Sequence, residues 1–227
     1  MDIKDIAQLI MSGFPALSTG NICDAGRGSV RIMAPGIKPL HHEMKVAGPV
    51  YTVDTPPGAN LSLHEAFATA PAGCVLVINA NSDMTSGHFG DLMVTAAQTR
   101  GVLGIIIDGA IRDVEDIMQM GFPVFARGSY PHGNTAKKST FNQPIQCGGV
   151  LVNPGDIVFA DATGIVIIPS EKVQEVYENA KFIANSELGF VQQLNEGKTL
   201  MQIPDFLKMH NIDPIMLQTD GISTNSN

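Results

Sequence analysis

The sequence predicts an α/β protein built on parallel strands, and three features of its middle third support this. Residues 72–79 and residues 102–107 are short apolar runs of the length expected for buried strands. Between them, residues 90–100 have helical periodicity and end at Gly101, a usual helix terminator. A strand–helix–strand unit joins parallel strands, so we expect these two strands to lie in one sheet with a right-handed connection.

The bulk composition indicates one globular domain with an apolar core. Hydrophobic residues make up 44% of the 227 residues and charged residues only 16%, which argues against global disorder. The formal net charge is −8 and the longest basic run is Lys137-Lys138, so we expect no nucleic-acid partner. We expect a single domain over residues 1–227, with a disordered tail at about residues 221–227; the alternative is one domain with a helical appendage.

The cysteines and apolar runs favour a reducing compartment. Cys23, Cys74 and Cys147 are scattered and odd in number, which matches neither a disulfide framework nor zinc-ligand spacing. The N-terminus lacks the basic region and apolar stretch of a signal peptide. No run reaches the roughly 18 apolar residues of a membrane span. We therefore expect a cytoplasmic protein with no membrane partner.

The N-terminal third alternates between helical and extended patterns. Apolar residues at helical spacing predict a short amphipathic helix in residues 1–12, and a second helix is expected after Ser18-Thr19. Residues 46–53 are typical of a strand, which the breaker at residues 55–58 ends. Residues 61–70 are typical of a helix.

The elements around the two buried strands follow in order. Residues 81–89 are polar and predict a loop, in which His88 is a weak candidate for substrate contact. Residues 114–120 predict a short helix closed by Gly121, and residues 123–126 a further strand. In the helix at 90–100, the apolar residues expected to face inward are Leu92, Met93, Ala96 and Ala97.

The C-terminal half favours hairpins followed by one long helix. Residues 128–149 are rich in Gly, Pro, Asn and Thr, which predicts loops and short antiparallel strands. Residues 157–161 and 165–168 predict a hairpin in which Asp161 caps the turn. A helix should begin at Pro169-Ser170-Glu171, with Ser170 as its N-cap, and continue to about Glu196.

Gly90 marks a candidate anion site. It opens a helix that follows a strand and a loop, so the first amides of that helix should face outward at the carboxyl edge of the sheet. Such amides bind carboxylates and phosphates, and a glycine lets a ligand approach closely. The alternative is that Gly90 only turns the chain.

Arg112 and Asp113 follow the second buried strand, four and five residues after its expected end at Asp108. Ligands of parallel sheets bind beyond the carboxyl ends of strands. Asp113 offers a hard oxygen ligand for Mg²⁺ or Mn²⁺, and Arg112 a permanent cation for an enolate or carboxylate. The alternative is a structural pair in which Asp113 caps the helix that begins at Val114.

As a set, these residues resemble the RraA-like family, which includes the class II 4-hydroxy-4-methyl-2-oxoglutarate and 4-carboxy-4-hydroxy-2-oxoadipate aldolases. The pattern is Asp91, twenty residues, then Arg112-Asp113. The resemblance covers roughly residues 15–200. Its further matches are Val46-Ala47-Gly48-Pro49, Tyr51-Thr52-Val53, Asn153-Pro154-Gly155-Asp156, Ala160-Asp161 and Gly164.

The resemblance implies an RraA-like swivelling β/β/α fold, with mixed sheet layers flanked by helices, in homotrimers or homohexamers with sites between subunits. It implies a divalent metal, Mg²⁺ or Mn²⁺, held by Asp113, and a 2-oxo acid substrate. The substrate would contact Arg112 and a loop of Gly90, Asp91, Leu92 and Met93. Glu187 is the candidate acid from a neighbouring subunit; the alternative is a plain solvent-facing helix residue.

The function implied is retro-aldol cleavage of a 4-hydroxy-2-oxo acid to pyruvate, accompanied by oxaloacetate decarboxylase activity. Arg112 and Asp91 are the catalytic candidates, with a metal-bound water held by Asp91 as one candidate base. One alternative is a non-enzymatic regulator that binds ribonuclease E, as some family members do. The other is a methyltransferase, which no glycine-rich cofactor loop in the sequence supports.

Overall fold

A computed structural model describes residues 17–133 and 137–212. The chain divides into two compact units, residues 1–180 and residues 181–227, so the expectation of one domain stays a prediction. The helix expected in residues 1–12 and the tail at residues 221–227 lie outside the described residues. No helix in the described ranges is long and apolar enough to cross a membrane.

The first unit holds four short helices and twelve strands among its described residues. The helices are α1 (Thr19–Gly26), α2 (Leu61–Thr69), α3 (Asp91–Thr99) and α4 (Val114–Met120). The strands are β1 (Arg31–Ile32), β2 (Lys38–Pro39), β3 (Val46–Asp54), β4 (Val75–Gly87), β5 (Gly104–Ile111), β6 (Val124–Ala126), β7 (Gly128–Ser129), β8 (Thr140–Phe141), β9 (Ile145–Cys147), β10 (Val150–Val152), β11 (Ile157–Ala160) and β12 (Ile165–Ile168).

A 3₁₀ turn at Ser170–Lys172 leads into the long helix α5 (Val173–Asn195), which runs from the first unit into the second. The second unit continues with a 3₁₀ turn at Leu200–Gln202 and helix α6 (Pro204–Met209).

Ten strands form one mixed sheet in the order β1-β12-β11-β3-β4-β5-β6-β2, with β7 beside β5 and β8 beside β3. Strands β3, β4, β5 and β6 run parallel. The strand–helix–strand pattern predicted the parallel pair β4 and β5. The β11–β12 hairpin pairs antiparallel with the first half of β3, whose second half pairs with β4. Strands β9 and β10 form a separate hairpin.

Strand β5 is buried on both faces, and its alternating side chains divide the core in two. Ile105 and Ile107 join a cluster with side chains of α2, α3 and α4. Ile106 joins a second cluster with side chains of β9, β11 and β12. Helices α2, α3 and α4 therefore pack on one face of β5, and strands β9, β11 and β12 pack on the other. This arrangement confirms the expected α/β fold with a mixed sheet flanked by helices. Each fully buried Ile contributes roughly 1.5–3 kcal/mol.

The first apolar strand is longer than its apolar run. Strand β4 continues to Gly87 through most of the polar segment predicted to be a loop. Two register shifts, with positive φ at Asn81 and Ser82, let this segment keep pairing with Gly109 and Ala110 of β5. The loop prediction was wrong because backbone pairing to β5, rather than side-chain pattern, maintains the strand.

Two local predictions about helices were also wrong. In α3, Met93 and Ala97 face the core as predicted, but Leu92 is 77% exposed, Ala96 is also exposed, and Val94 faces the core instead. Ser170 does not cap the long helix, because it lies inside the 3₁₀ turn, and its hydroxyl donates to Glu171. Helix α4 and its terminator Gly121, at φ 65°, match the prediction.

Asp161 joins α1 to the β11–β12 turn. Its buried carboxylate accepts hydrogen bonds from the Thr19 amide (2.9 Å), the Thr19 hydroxyl (2.8 Å) and the amides of Thr163 (2.8 Å) and Gly164 (3.4 Å). The predicted turn cap is confirmed. Burial raises the pKa of Asp161, but the hydrogen bonds, led by those from Thr19, outweigh it, so this pKa lies below its ordinary value.

We expect Asp161→Asn to lower the free energy of unfolding by on the order of 2 kcal/mol near neutral pH, because charge-assisted bonds are lost. Since the folded pKa is depressed, the wild-type advantage is present above the ordinary pKa of 3.8 and is lost as pH falls through the folded pKa. Urea unfolding at several pH values measures this. The exposed control Glu65→Gln should change little, and a pH-independent loss in Asp161→Asn would contradict the charge argument.

Candidate active site

The ends of β4 and β5 lie side by side, which brings the predicted site residues together. Strand β5 ends at Ile111, so Arg112 follows it directly rather than after a loop from Asp108. The His88 amide donates to Ala110 O, and the Arg112 amide donates to Phe89 O, both at 3.0 Å. These bonds hold residues 88–90, which lead into α3, against the segment that leads into α4.

Gly90 lies directly against Arg112 and Asp113. A Cβ built at Gly90 would overlap the Asp113 Oδ2 atom and lie 3.1 Å from Arg112 Nε. The backbone at Gly90 is extended, with φ −136°, so it is the close approach that requires glycine. The two predicted parts of the site, the helix start and the Arg-Asp pair, therefore meet at one point.

Asp113 occupies the N-cap position of α4 without using its side chain as a cap. Its backbone is left-handed, at φ 56° and ψ 41°, and no capping hydrogen bond forms. Its Oδ2 atom lies 3.1 Å from Arg112 Nε. A non-glycine residue held in this conformation is a recurrent feature of functional sites. The capping alternative does not account for this carboxylate.

The Arg112–Asp113 pair is accessible to a ligand. The two side chains are 45% and 30% exposed. An exposed ion pair of this kind contributes about 0–1 kcal/mol to stability. Both groups are therefore available to exchange their mutual contact for contacts with a bound anion or cation.

The start of α3 leaves two amides without an intrahelical partner. Asp91 is the first helical residue and is partly buried, and the amides of Asp91 and Leu92 precede the first intrahelical bonds. The Met93 amide instead donates to Gly90 O at 3.2 Å, and the Met93 side chain is buried. Of the predicted substrate loop, Met93 lies on the inner side and Leu92 on the exposed side.

Asp113 suits Mg²⁺ or Mn²⁺ bound by one carboxylate, rather than a metal coordinated entirely by protein side chains. In residues 17–133 and 137–212, no three or more His, Cys, Asp or Glu side chains cluster to hold a metal. Mg²⁺ keeps several waters and uses one or two carboxylates together with substrate oxygens. A partly exposed carboxylate with one neighbouring cation fits that mode, but not a closed zinc site.

Two other candidates have defined positions. Glu187 is exposed on α5, in the second unit, and its assignment to a neighbouring subunit's site stays a prediction. His88 has a fully buried side chain, so the suggestion that it contacts substrate was wrong. Asp83, which contacts the His88 ring, was not predicted as a site residue. Residues 81–89 were interpreted as a loop, and the polar residues of a loop are expected to face solvent.

Comparison with known proteins agrees with this fold. A family model described as "RraA-like: Aldolase/RraA" matches residues 19–167. The chain therefore belongs to the RraA-like family, as the motifs predicted.

The relatives carry different names. A protein of Halalkalibacterium halodurans named "Putative 4-hydroxy-4-methyl-2-oxoglutarate aldolase" is 38% identical over 172 residues, which is 74% of this chain and 80% of the relative. A structure of an uncharacterized protein from Pseudomonas syringae pv. tomato aligns with TM-score 0.78 and 25% identity, covering 86% and 92%. Streptomyces coelicolor RraAS2, described as an unusual member of the RNase ES inhibitor RraA protein family, aligns with TM-score 0.72 and 29% identity, covering 81% and 96%.

We expect Gly90→Ala to force Asp113 and Arg112 away from the start of α3, because the added methyl group overlaps the carboxylate. A crystal structure of the variant should show the Arg112–Asp113 contact rearranged, with the parallel sheet unchanged. Gly164→Ala is the matched control, since its Cβ would meet nothing within 4 Å. An unmoved Asp113 in Gly90→Ala would contradict the close-approach argument.

Proposed function

We propose that this protein is a divalent-metal-dependent aldolase that cleaves a 4-hydroxy-2-oxo dicarboxylic or tricarboxylic acid to pyruvate and a second oxo acid. The observation that carries the proposal is the meeting of Gly90, Arg112 and Asp113 beside the start of α3. The aldolase name of the 38% identical relative supports it.

A 2-oxo acid presents two kinds of oxygen to this site. Its carboxylate suits the amides of Asp91 and Leu92, where the positive end of the α3 dipole also lies. Its keto oxygen suits the Arg112 guanidinium, whose several N–H groups donate to neighbouring oxygens in one plane. Contacts to both groups would hold the substrate in one orientation.

Cleavage begins with removal of the proton on the C4 hydroxyl. The C3–C4 bond then breaks, its electron pair forms the enolate of pyruvate, and C4 leaves as the carbonyl of the second oxo acid. Arg112 donates to the enolate oxygen as its charge develops. Protonation of C3 completes pyruvate. Asp113 would hold a Mg²⁺ or Mn²⁺ ion, which would supply Lewis-acid polarisation of the substrate oxygens.

The proposal extends to a side activity and an assembly. Loss of CO₂ from oxaloacetate produces the same pyruvate enolate, so Arg112 should support this decarboxylation as well. We also propose a cytoplasmic homotrimer or homohexamer, in which Glu187 serves the site of a neighbouring copy. Asp91, at the first position of α3, is the proposed holder of the water that acts as base.

A second candidate is a protein-binding regulator of ribonuclease. The observation in its favour is the alignment with Streptomyces coelicolor RraAS2, described as a member of an inhibitor family. The partly exposed Arg112–Asp113 pair and the glycine beside it favour the enzyme, because a protein-binding surface does not require that close approach.

The decisive experiment measures pyruvate release from a panel of 4-hydroxy-2-oxo acids and oxaloacetate, coupled to lactate dehydrogenase. We expect turnover with Mg²⁺ or Mn²⁺ and none with excess chelator. Asp113→Asn should abolish activity while leaving the melting temperature within a few degrees of wild type. The control Glu115→Gln, an exposed acid two residues further along, should stay active. Metal-independent turnover, or a fully active Asp113→Asn, would contradict the assignment of Asp113 as the metal ligand of a metal-dependent aldolase.

Arg112→Lys should lose on the order of 10²–10³ in kcat/KM, although the charge is kept. A lysine ammonium acts as a point charge and cannot hold two oxygens in one plane. Steady-state kinetics on the best substrate of the panel measures the loss. Arg100→Lys, at the exposed end of α3, is the matched control. A variant within about threefold of wild type would show that Arg112 has only a structural role.

A further inference from the structure

His88 is a completely buried polar side chain at the base of the candidate active site. It follows the last residue of β4 and precedes the N-cap of α3 by two positions. Its side chain has no solvent exposure. The proposed reaction makes no use of it, so its burial calls for another explanation.

Both ring nitrogens of His88 face acceptors. Nδ1 lies 3.1 Å from Ala59 O, and Nε2 lies 3.2 Å from Asp83 Oδ2. The second approach is close enough for an ion pair but lacks the direction of a hydrogen bond, so Nε2 has no hydrogen-bond partner. A neutral imidazole donates from only one nitrogen, and an unsatisfied buried polar group is costly. Apolar packing alone does not explain this arrangement.

Asp83 is held firmly, so it acts as an anchor for the ring. Its carboxylate accepts hydrogen bonds from the Gly58 amide (2.9 Å), the Thr85 amide (2.8 Å) and the Thr85 hydroxyl (2.7 Å). Burial raises the pKa of Asp83, but these bonds and the nearby His88 outweigh it and keep the pKa below its ordinary value.

The backbone of His88 is tied to the same surroundings. Its amide donates to Ala110 O of β5, and its carbonyl accepts from Asn60 Nδ2 at 2.7 Å. The same Asn60 amide lies 3.5 Å from Met93 Sδ in α3. His88 therefore connects the segment before α2, the irregular end of β4 and strand β5 to the turn that begins α3.

We propose that His88 is a positioning residue that fixes Gly90 and the start of α3 against Arg112 and Asp113. The contact between Gly90 and Asp113 leaves no room for a single added methyl group. A small shift of the turn therefore moves the α3 amides relative to the Arg-Asp pair. His88 thereby sets the affinity for the 2-oxo acid, and this inference rests on the proposed function.

Three substitutions separate positioning from simple packing. His88→Asn places an amide near the Nδ1 position, within reach of Ala59, and His88→Gln places one near Nε2, within reach of Asp83. His88→Leu keeps the volume but removes both donors. The readouts are KM and kcat for the best substrate, the Kd of oxalate with Mg²⁺ by calorimetry, and crystal structures of the variants.

We expect His88→Leu to raise KM and the oxalate Kd about tenfold, because leucine keeps neither the Ala59 hydrogen bond nor the Asp83 contact and so lets the turn before α3 shift relative to Arg112 and Asp113. For His88→Leu, kcat should change by less than about threefold. His88→Asn or His88→Gln should recover part of the oxalate affinity that His88→Leu loses. Asp161→Asn is the control, because it destabilises the fold away from the site and should leave KM and Kd unchanged. Values for His88→Leu within about twofold of wild type overturn the proposal, as does an equal effect in Asp161→Asn.

Two further outcomes keep the test decisive. If His88→Leu does not fold, His88→Asn and His88→Gln decide, and wild-type oxalate affinity in both overturns the proposal. If wild type releases no pyruvate, the proposed function fails by itself. The crystal structures still test His88 in that case, because Gly90 at its wild-type position beside Asp113 in all folded variants would refute positioning.

Discussion

The close approach of Gly90 to the Asp113 carboxylate is the constraint on which the site depends. No side chain fits between them, so the segments that begin α3 and α4 must be held in a fixed relative position. Two backbone hydrogen bonds, from His88 to Ala110 and from Arg112 to Phe89, fix that position. Both attach the site to the end of β5, so the placement of the reactive groups follows from the placement of one strand.

Strand β5 holds the site in place because core side chains pack against both of its faces. Ile105 and Ile107 pack toward the helices, while Ile106 packs toward the strand layer beneath. Burial on both sides, at roughly 1.5–3 kcal/mol for each Ile, makes displacement of the strand costly. That stability also supports the left-handed backbone of Asp113, a conformation that persists only where the surrounding structure imposes it.

Polar groups are divided between two depths at this edge of the sheet. Arg112 and Asp113 are partly exposed and form a weak contact that a ligand can replace. His88 and Asp83 lie behind them, buried and fixed by several hydrogen bonds. A fold shared by proteins named as aldolases and as ribonuclease inhibitors does not decide between those functions. The division into an accessible pair and a rigid support is what favours catalysis.

Local pattern by itself determined the parallel pair β4 and β5, helix α4 with its terminator Gly121, and the β11–β12 hairpin, because each depends on residues near in sequence. The spacing from Asp91 to Arg112 and Asp113 determined the family. Tertiary structure decided the rest. β4 continues to Gly87 because β5 offers backbone partners, Leu92 faces outward, and His88 is buried among Ala59 and Asp83. These outcomes depend on which distant segments meet, and apolar periodicity does not show which segments pair or pack with each other.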